Sequence, residues 1–159
     1  LNPLSCQDTG SGQSGYRSRY PPPQPHNIMC FIFWNIRGFG HAGRRTQLKE
    51  FIREEGIDVV GLQETIKTDF SHRDLLAVDP LERFAWHWLS AVGHSGGLLL
   101  GINQVCCEVV AWDAGRFFLS AHVRQRATLN EWEVIVVYGP ADHSHSQEFL
   151  GELQEKVAT

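Results

Sequence analysis

The sequence predicts a mixed fold, α/β in its first third and α+β beyond it. Three observations carry that expectation. Two continuous apolar runs flank a helical stretch between residues 29 and 63, short apolar segments separated by turn residues fill 85–138, and an amphipathic stretch occupies 146–157.

The elements follow in order. Residues 1–27 are dominated by Pro, Ser, Gly and Gln, with Pro21-Pro22-Pro23 and Pro25 near the end. With almost no aliphatic side chains to bury, this segment is expected to be a disordered arm acting as a linker, a proline-motif ligand being the alternative. The fold is expected over 28–159. Residues 29–36 (M-C-F-I-F-W-N-I) form an apolar run of strand length, as a strand buried on both faces requires. Gly38-Phe39-Gly40 breaks it. Over 45–55, Leu48, Phe51 and Ile52 recur at helical spacing, and Gly56 stands where a helix-ending glycine belongs. Residues 57–63 read as a second buried strand, so that strand, helix and strand make a parallel βαβ unit.

Segments 85–91, 97–102, 105–112, 117–123 and 133–138 are too closely spaced for crossovers and predict antiparallel hairpins, with turns at Ser95-Gly96-Gly97 and Asp113-Ala114-Gly115. A helix over 146–157 places Phe149, Leu150, Leu153 and Val157 on one face, and Ser144-His145-Ser146-Gln147 has the form of a capping box.

Composition bounds the partners. A length of 159 residues fits one domain, and 42% hydrophobic with 20% charged residues is a globular balance. The net charge of −4 lends no support to non-specific nucleic-acid binding, although a nuclease site concentrates acidic groups to hold a cation. Cys6, Cys30, Cys106 and Cys107 lack C-x-x-C spacing and read as buried thiols of a reducing compartment, the adjacent pair pointing to opposite faces of a strand. No secretory leader and no apolar run of membrane-spanning length occurs, which predicts a soluble, intracellular protein. The first residue is Leu1 and the only methionine is Met29, a pattern expected of an incomplete reading frame.

Candidate chemistry sits at two strand ends. Glu64 closes the second strand, and a carboxylate at the C-terminal end of a parallel strand lies where α/β sheets bind ligands. Asn35 closes the first strand, one helix away, so both polar tips reach one rim. Such oxygen donors suit a hard divalent ion, which needs only one or two carboxylates beside waters and substrate phosphate.

W-N-I-R-G (34–38), G-L-Q-E-T (61–65), S-G-G-L (95–98) and V-V-Y-G-P (136–140), with the helix after the first of them, resemble the endonuclease/exonuclease/phosphatase family in order and spacing. The stretches 43–65 and 132–144 are most similar to endonucleases of plant LINE-type retrotransposons. The resemblance implies the N-terminal half of a four-layer, two-sheet sandwich, cut off before the second sheet is supplied and so left with an exposed half-core. It implies Glu64 as the metal-binding glutamate, Asn35 as an organiser of metal and scissile phosphate, and the Tyr138 hydroxyl near the phosphate. The cofactor implied is Mg²⁺ or Mn²⁺, weakly held, and the partner is nucleic acid, DNA ahead of RNA, in an intracellular and nuclear setting.

The family's chemistry is in-line phosphodiester hydrolysis, the metal serving as Lewis acid and an acid/base pair handling water and leaving group. Arg37 stands where some members carry an acidic residue. The later G-D-x-N and S-D-H motifs are absent from this sequence. Asp142-His143 imitates the D-H pair but precedes a helix and reads as a capping loop, and His143 with His145 falls short of a zinc site. The expected state is therefore an inactive, truncated hydrolase, with a retroelement remnant or a self-associating module as the alternatives.

Overall fold

The computed structural model describes residues 28–93, 96–140 and 142–158; the expected arm and Ser95 of the glycine turn lie outside them. The first strand β1 (Phe31–Asn35), helix α1 (Ala42–Glu54) and strand β2 (Val59–Gln63) form the expected βαβ unit, with β1 and β2 parallel and Asn35 opposite Gln63. A short helix α2 (His72–Leu76) then leads to β3 (Phe84–Leu89) and β4 (Leu98–Asn103). Strand β4 runs antiparallel to both β2 and β3, giving a four-stranded sheet in the order β1-β2-β4-β3.

Strands β5 (Cys107–Ala114), β6 (Phe118–Gln125) and β7 (Glu131–Val137) form a second, antiparallel sheet in that order. Helix α3 (Ser146–Ala158) follows. The second sheet is thus present with three strands, which corrects the expectation that the sequence stops before supplying it.

Side-chain alternation builds the layers. In β2, Val60 and Leu62 pack with Leu48 and Ile52 of α1, whereas Val59 faces the second sheet. Between the sheets Val59, Leu98, Leu100 and Ile102 meet Leu119, Ala121, Val123, Val134 and Val136. Every residue of β4 is buried, as a strand covered on both faces must be. Gly61 sets the approach of the sheets: a Cβ there would lie 2.4 Å from the Phe33 ring and 2.9 Å from Val136. On the far side of the second sheet α3 rests through Phe149 against Phe117, ring centroids 5.6 Å apart. The order of layers is helix, sheet, sheet, helix.

Four further expectations are corrected. Strands β4 and β5 do not form a hairpin, because the chain changes sheets between them. Asn103 turns it there, its side-chain oxygen accepting from the Val105 amide at 3.0 Å while its amide group donates to buried Asp58 at 3.3 Å. Cys106 and Cys107 join the same inter-sheet cluster rather than opposite faces, since Cys106 lies in the turn before the pleat of β5 begins. Both are free thiols; burial above all pushes Cys106 up to about 12 and Cys107 up to about 11. The Ser144–Gln147 capping box does not form: Asp142 caps a 3₁₀ turn at His143–His145, accepting from the Ser144 amide at 3.0 Å, and α3 continues from it. Phe149 turns inward, but Leu150 and Val157 remain 54% and 71% exposed. Helix α2 was not legible in the periodicity, five residues being too few to show one; its Ser71–Asp74 capping box is complete.

Candidate active-site rim

The candidate residues lie at the C-terminal ends of β1, β2 and β7. In β1 the side chains of Phe31, Phe33 and Asn35 share one face by alternation. That face looks toward the second sheet, because the Phe31 ring lies 5.6 Å from Trp132 of β7. Asn35 is exposed at its end. Gln63 is its register partner in β2 and also points between the sheets, its Nε2 donating to the Val137 carbonyl at 2.6 Å.

Regular alternation would send Glu64 the other way, toward α1. Instead Glu64 has φ +54°, in the left-handed region. That turn lets two successive side chains reach the same neighbour, Gln63 the backbone end of β7 and Glu64 the residue after it. The Tyr138 hydroxyl donates to Glu64 Oε1 at 3.4 Å. A left-handed conformation costs an ordinary residue about 1–2 kcal/mol, so it persists only where its surroundings enforce it. Here they do. Gly38 N donates to Glu64 O at 2.7 Å, Phe39 N to Thr65 O at 2.8 Å, Thr65 N to Gly97 O at 3.1 Å and Ile66 N to Gly96 O at 3.1 Å.

The separation of 3.4 Å is long for a hydroxyl on a carboxylate, so the half-buried Glu64 keeps acceptor capacity for a second partner. Burial first, then the charge and hydrogen bond of Glu64, push the Tyr138 phenol above its ordinary 10.0. Tyr138 therefore stays protonated and available as a donor at neutral pH. Arg37, where some resembling sequences are acidic, is exposed with φ +48°, and its carbonyl accepts from Arg44 Nη1.

Asn35, Glu64 and Tyr138 thus occupy neighbouring strand ends, with Glu64 and Tyr138 in contact. Asp142 is instead taken up by its cap, where the Ser144 hydroxyl and amide hold its carboxyl below the usual range. Among the described residues no group of three or more His, Cys, Asp or Glu side chains is placed to hold a metal ion. The donor set at the rim is one hard carboxylate beside an amide oxygen, which fits a magnesium-like cation that keeps most of its waters. Sequence reading found these three residues but not Gln63, Thr65 or the role of Gly96 and Gly97. The paired glycines are the available signal, legible in the sequence as a turn and as part of the S-G-G-L motif but not as a support of Glu64.

Two sheets packed face to face, with helices outside and polar strand ends on one rim, define a four-layer two-sheet sandwich domain. The chain belongs to the Endonuclease/Exonuclease/phosphatase family, whose sequence profile matches residues 32–155. No curated protein sequence matches it. Among solved structures, the catalytic domain of human Nocturnin with bound sulfate superposes with a TM-score of 0.61 at 13% identity, covering 81% of this chain and 58% of that one. A truncated TDP2 from C. elegans gives 0.55 at 17% identity, over 80% of this chain and 54% of that one. The AP endonuclease LMAP from Leishmania major gives 0.51 at 15% identity, over 68% and 39%. At these identities the likeness is one of fold. The chain spans about half the length of the solved structures it matches.

Proposed function

We propose that this chain carries the metal-anchoring part of a phosphodiester hydrolase site, acting on nucleic acid in the family's manner, and that it does not turn over substrate by itself. The observation that carries the reading is the left-handed turn at Glu64, which brings its carboxylate to the Tyr138 hydroxyl at the rim where β1 ends in Asn35. In this reading Glu64 is the protein ligand of a weakly held Mg²⁺ or Mn²⁺. Asn35 donates its amide to a phosphate oxygen, and Tyr138 donates its hydroxyl to the same phosphate.

When bound, the cation supplies Lewis-acid polarisation of the phosphate and a counter-charge in the transition state. Nucleic acid is the substrate class, DNA ahead of RNA. The resemblance to LINE-type retrotransposon endonucleases supports this, as does the fold shared with an AP endonuclease. The groups that would activate water and protonate the leaving oxygen belong to G-D-x-N and S-D-H motifs that this sequence lacks. Loss of one such group removes a factor of about 10²–10⁴ in rate. Loss of several leaves no measurable hydrolysis.

The test is a Mn²⁺ titration followed by electron paramagnetic resonance, beside a cleavage assay on a labelled oligonucleotide. Weak binding abolished by Glu64→Gln, with no cleavage, is expected. Micromolar affinity that survives Glu64→Ala would overturn the ligand assignment, and cleavage that Glu64→Gln removes would overturn the inactivity. A self-associating module is the second reading, favoured by the exposure of Phe31 and Phe33 on β1.

A further inference from the structure

We infer that Gly97, acting through Thr65, is a positioning residue for the Glu64 carboxylate; the inference rests on the reading of Glu64 as a metal ligand. The rim is built from an unusual concentration of left-handed backbone. Arg37, Gly38, Glu64, Ile66, Gly96 and Gly97 all have positive φ, and they meet around one residue, Thr65. Ile66 at φ +53° is especially telling, since a β-branched side chain rarely takes that conformation without being forced.

Thr65 has no freedom to adjust. It is fully buried, its amide donates to Gly97 O, and its carbonyl accepts from Phe39 N. Its hydroxyl has no hydrogen-bond partner among the described residues, so the side chain serves as packing. A Cβ at Gly97 would lie 2.4 Å from that hydroxyl oxygen, 3.1 Å from Ala91 Cβ and 3.3 Å from the Ala91 amide nitrogen. Ala91 cannot yield either, being held by its amide on Lys67 O at 2.8 Å.

Any side chain at Gly97 therefore pushes Thr65. Glu64 is the preceding residue, and its carbonyl is fastened to Gly38 N at 2.7 Å. A displaced Thr65 moves the carboxylate away from Tyr138 and pulls on the loop that follows Asn35. Gly97 touches neither the cation nor the substrate; it decides where Glu64 points.

The experiment is a double-mutant cycle on the purified 159-residue chain, read by Mn²⁺ affinity and, separately, by urea unfolding. Gly97→Ala is expected to weaken Mn²⁺ binding roughly 10-fold or more, as loss of an outer-shell support does. Thr65→Ala, which empties the space beside Gly97, is expected to weaken it as well. Gly97→Ala with Thr65→Ala should bind better than Gly97→Ala alone, because the new methyl group enters the vacated space. A general loss of stability would lower the unfolding midpoint without producing that recovery. Thr65→Ala also keeps the question answerable if Gly97→Ala does not fold. Unchanged Mn²⁺ affinity in a folded Gly97→Ala or Thr65→Ala chain, or losses that simply add, would overturn the inference provided Glu64→Gln has lost binding. If Glu64→Gln itself retains binding, it is the ligand assignment that fails.

Discussion

Glu64 is placed by backbone strain rather than by propensity. The Q-E-T motif marks the residue, and the end of a parallel strand marks the crevice. Nothing in the sequence announces φ +54°, because that angle is imposed from both flanks by Gly38, Phe39, Gly96 and Gly97. This separation of identity from conformation gives a testable trade-off. Glu64→Gly keeps the turn and removes its steric cost, so the chain should unfold at equal or higher urea, a gain of up to about 1 kcal/mol after the added chain entropy of glycine. Glu64→Gln keeps both the strain and the contact with Tyr138, and its stability should stay within about 0.5 kcal/mol of the parent. Both should lose Mn²⁺ binding. A Glu64→Gly chain markedly less stable than Glu64→Gln would mean that the side chain and its contact with Tyr138 support the fold by more than the turn strains it.

Periodicity located the seven strands and the two long helices to within a few residues, because each carries an apolar face in its sequence. What it missed lacks that signature. Helix α2 is a single capped turn, and the passage from β4 to β5 depends on the side chain of Asn103 reaching Asp58, 45 residues away in the sequence. The start of α3 depends on Asp142, and here the capping loop expected of Asp142-His143 is what forms, although its cap is Asp142 rather than Ser144. Asp142→Ala should therefore loosen the start of α3 and lower the urea midpoint slightly, as loss of an N-cap does.

The docking of α3 is largely electrostatic. Lys156 bridges Asp113 at 2.8 Å and Glu133 at 2.6 Å, and Ser120 Oγ donates to Glu133 at 2.8 Å. The hydrogen bond from Lys156 holds Asp113 below its ordinary 3.8. Burial works to raise Glu133, but Lys156 and Ser120 leave it below 4.5. Burial works to lower Lys156, and its two carboxylates outweigh that and leave it above 10.5. Depressed carboxyls contribute fully above their unfolded values and lose that contribution as pH falls through the lower folded ones. The raised amine contributes below its unfolded value and loses that as pH rises through the higher folded one. Helix α3 should accordingly hold best between about pH 4.5 and 10.5 and loosen outside that window, as limited proteolysis across a pH series would report. Lys156→Met should lower stability by about 1 kcal/mol near neutral pH, less than a buried pair would, because Asp113 is half exposed and screened.

The two sheets close on each other through a complete inter-sheet cluster, but not equally on all sides. Among the described residues β1 is an edge of the first sheet and β7 an edge of the second, and the short distance between Phe31 and Trp132 places these edges on the same flank of the sandwich. On that flank Phe31 and Phe33, stacked 6.3 Å apart, are 45% and 55% exposed. Two open strand edges beside exposed aromatic rings combine the features that promote strand-to-strand association: unpaired backbone groups and apolar area to bury. Such area contributes roughly 25 cal/mol for each Å² removed from water. The buried core predicts a cooperatively folded chain, and the open flank predicts that this chain self-associates. Phe31→Thr with Phe33→Thr tests the link, since threonine keeps the preference for a strand while removing the rings. Sedimentation of the parent chain should show a weight-average mass that climbs with concentration, together with binding of a dye for exposed apolar surface. The double variant should sediment as a monomer, bind little dye and retain a single unfolding transition within about 1 kcal/mol of the parent, because both positions are already half in water. A parent chain that remains monomeric and dye-free at every concentration would show that the flank is inert; a double variant that associates as before would place the contact elsewhere, on the exposed Leu150 and Val157 of α3.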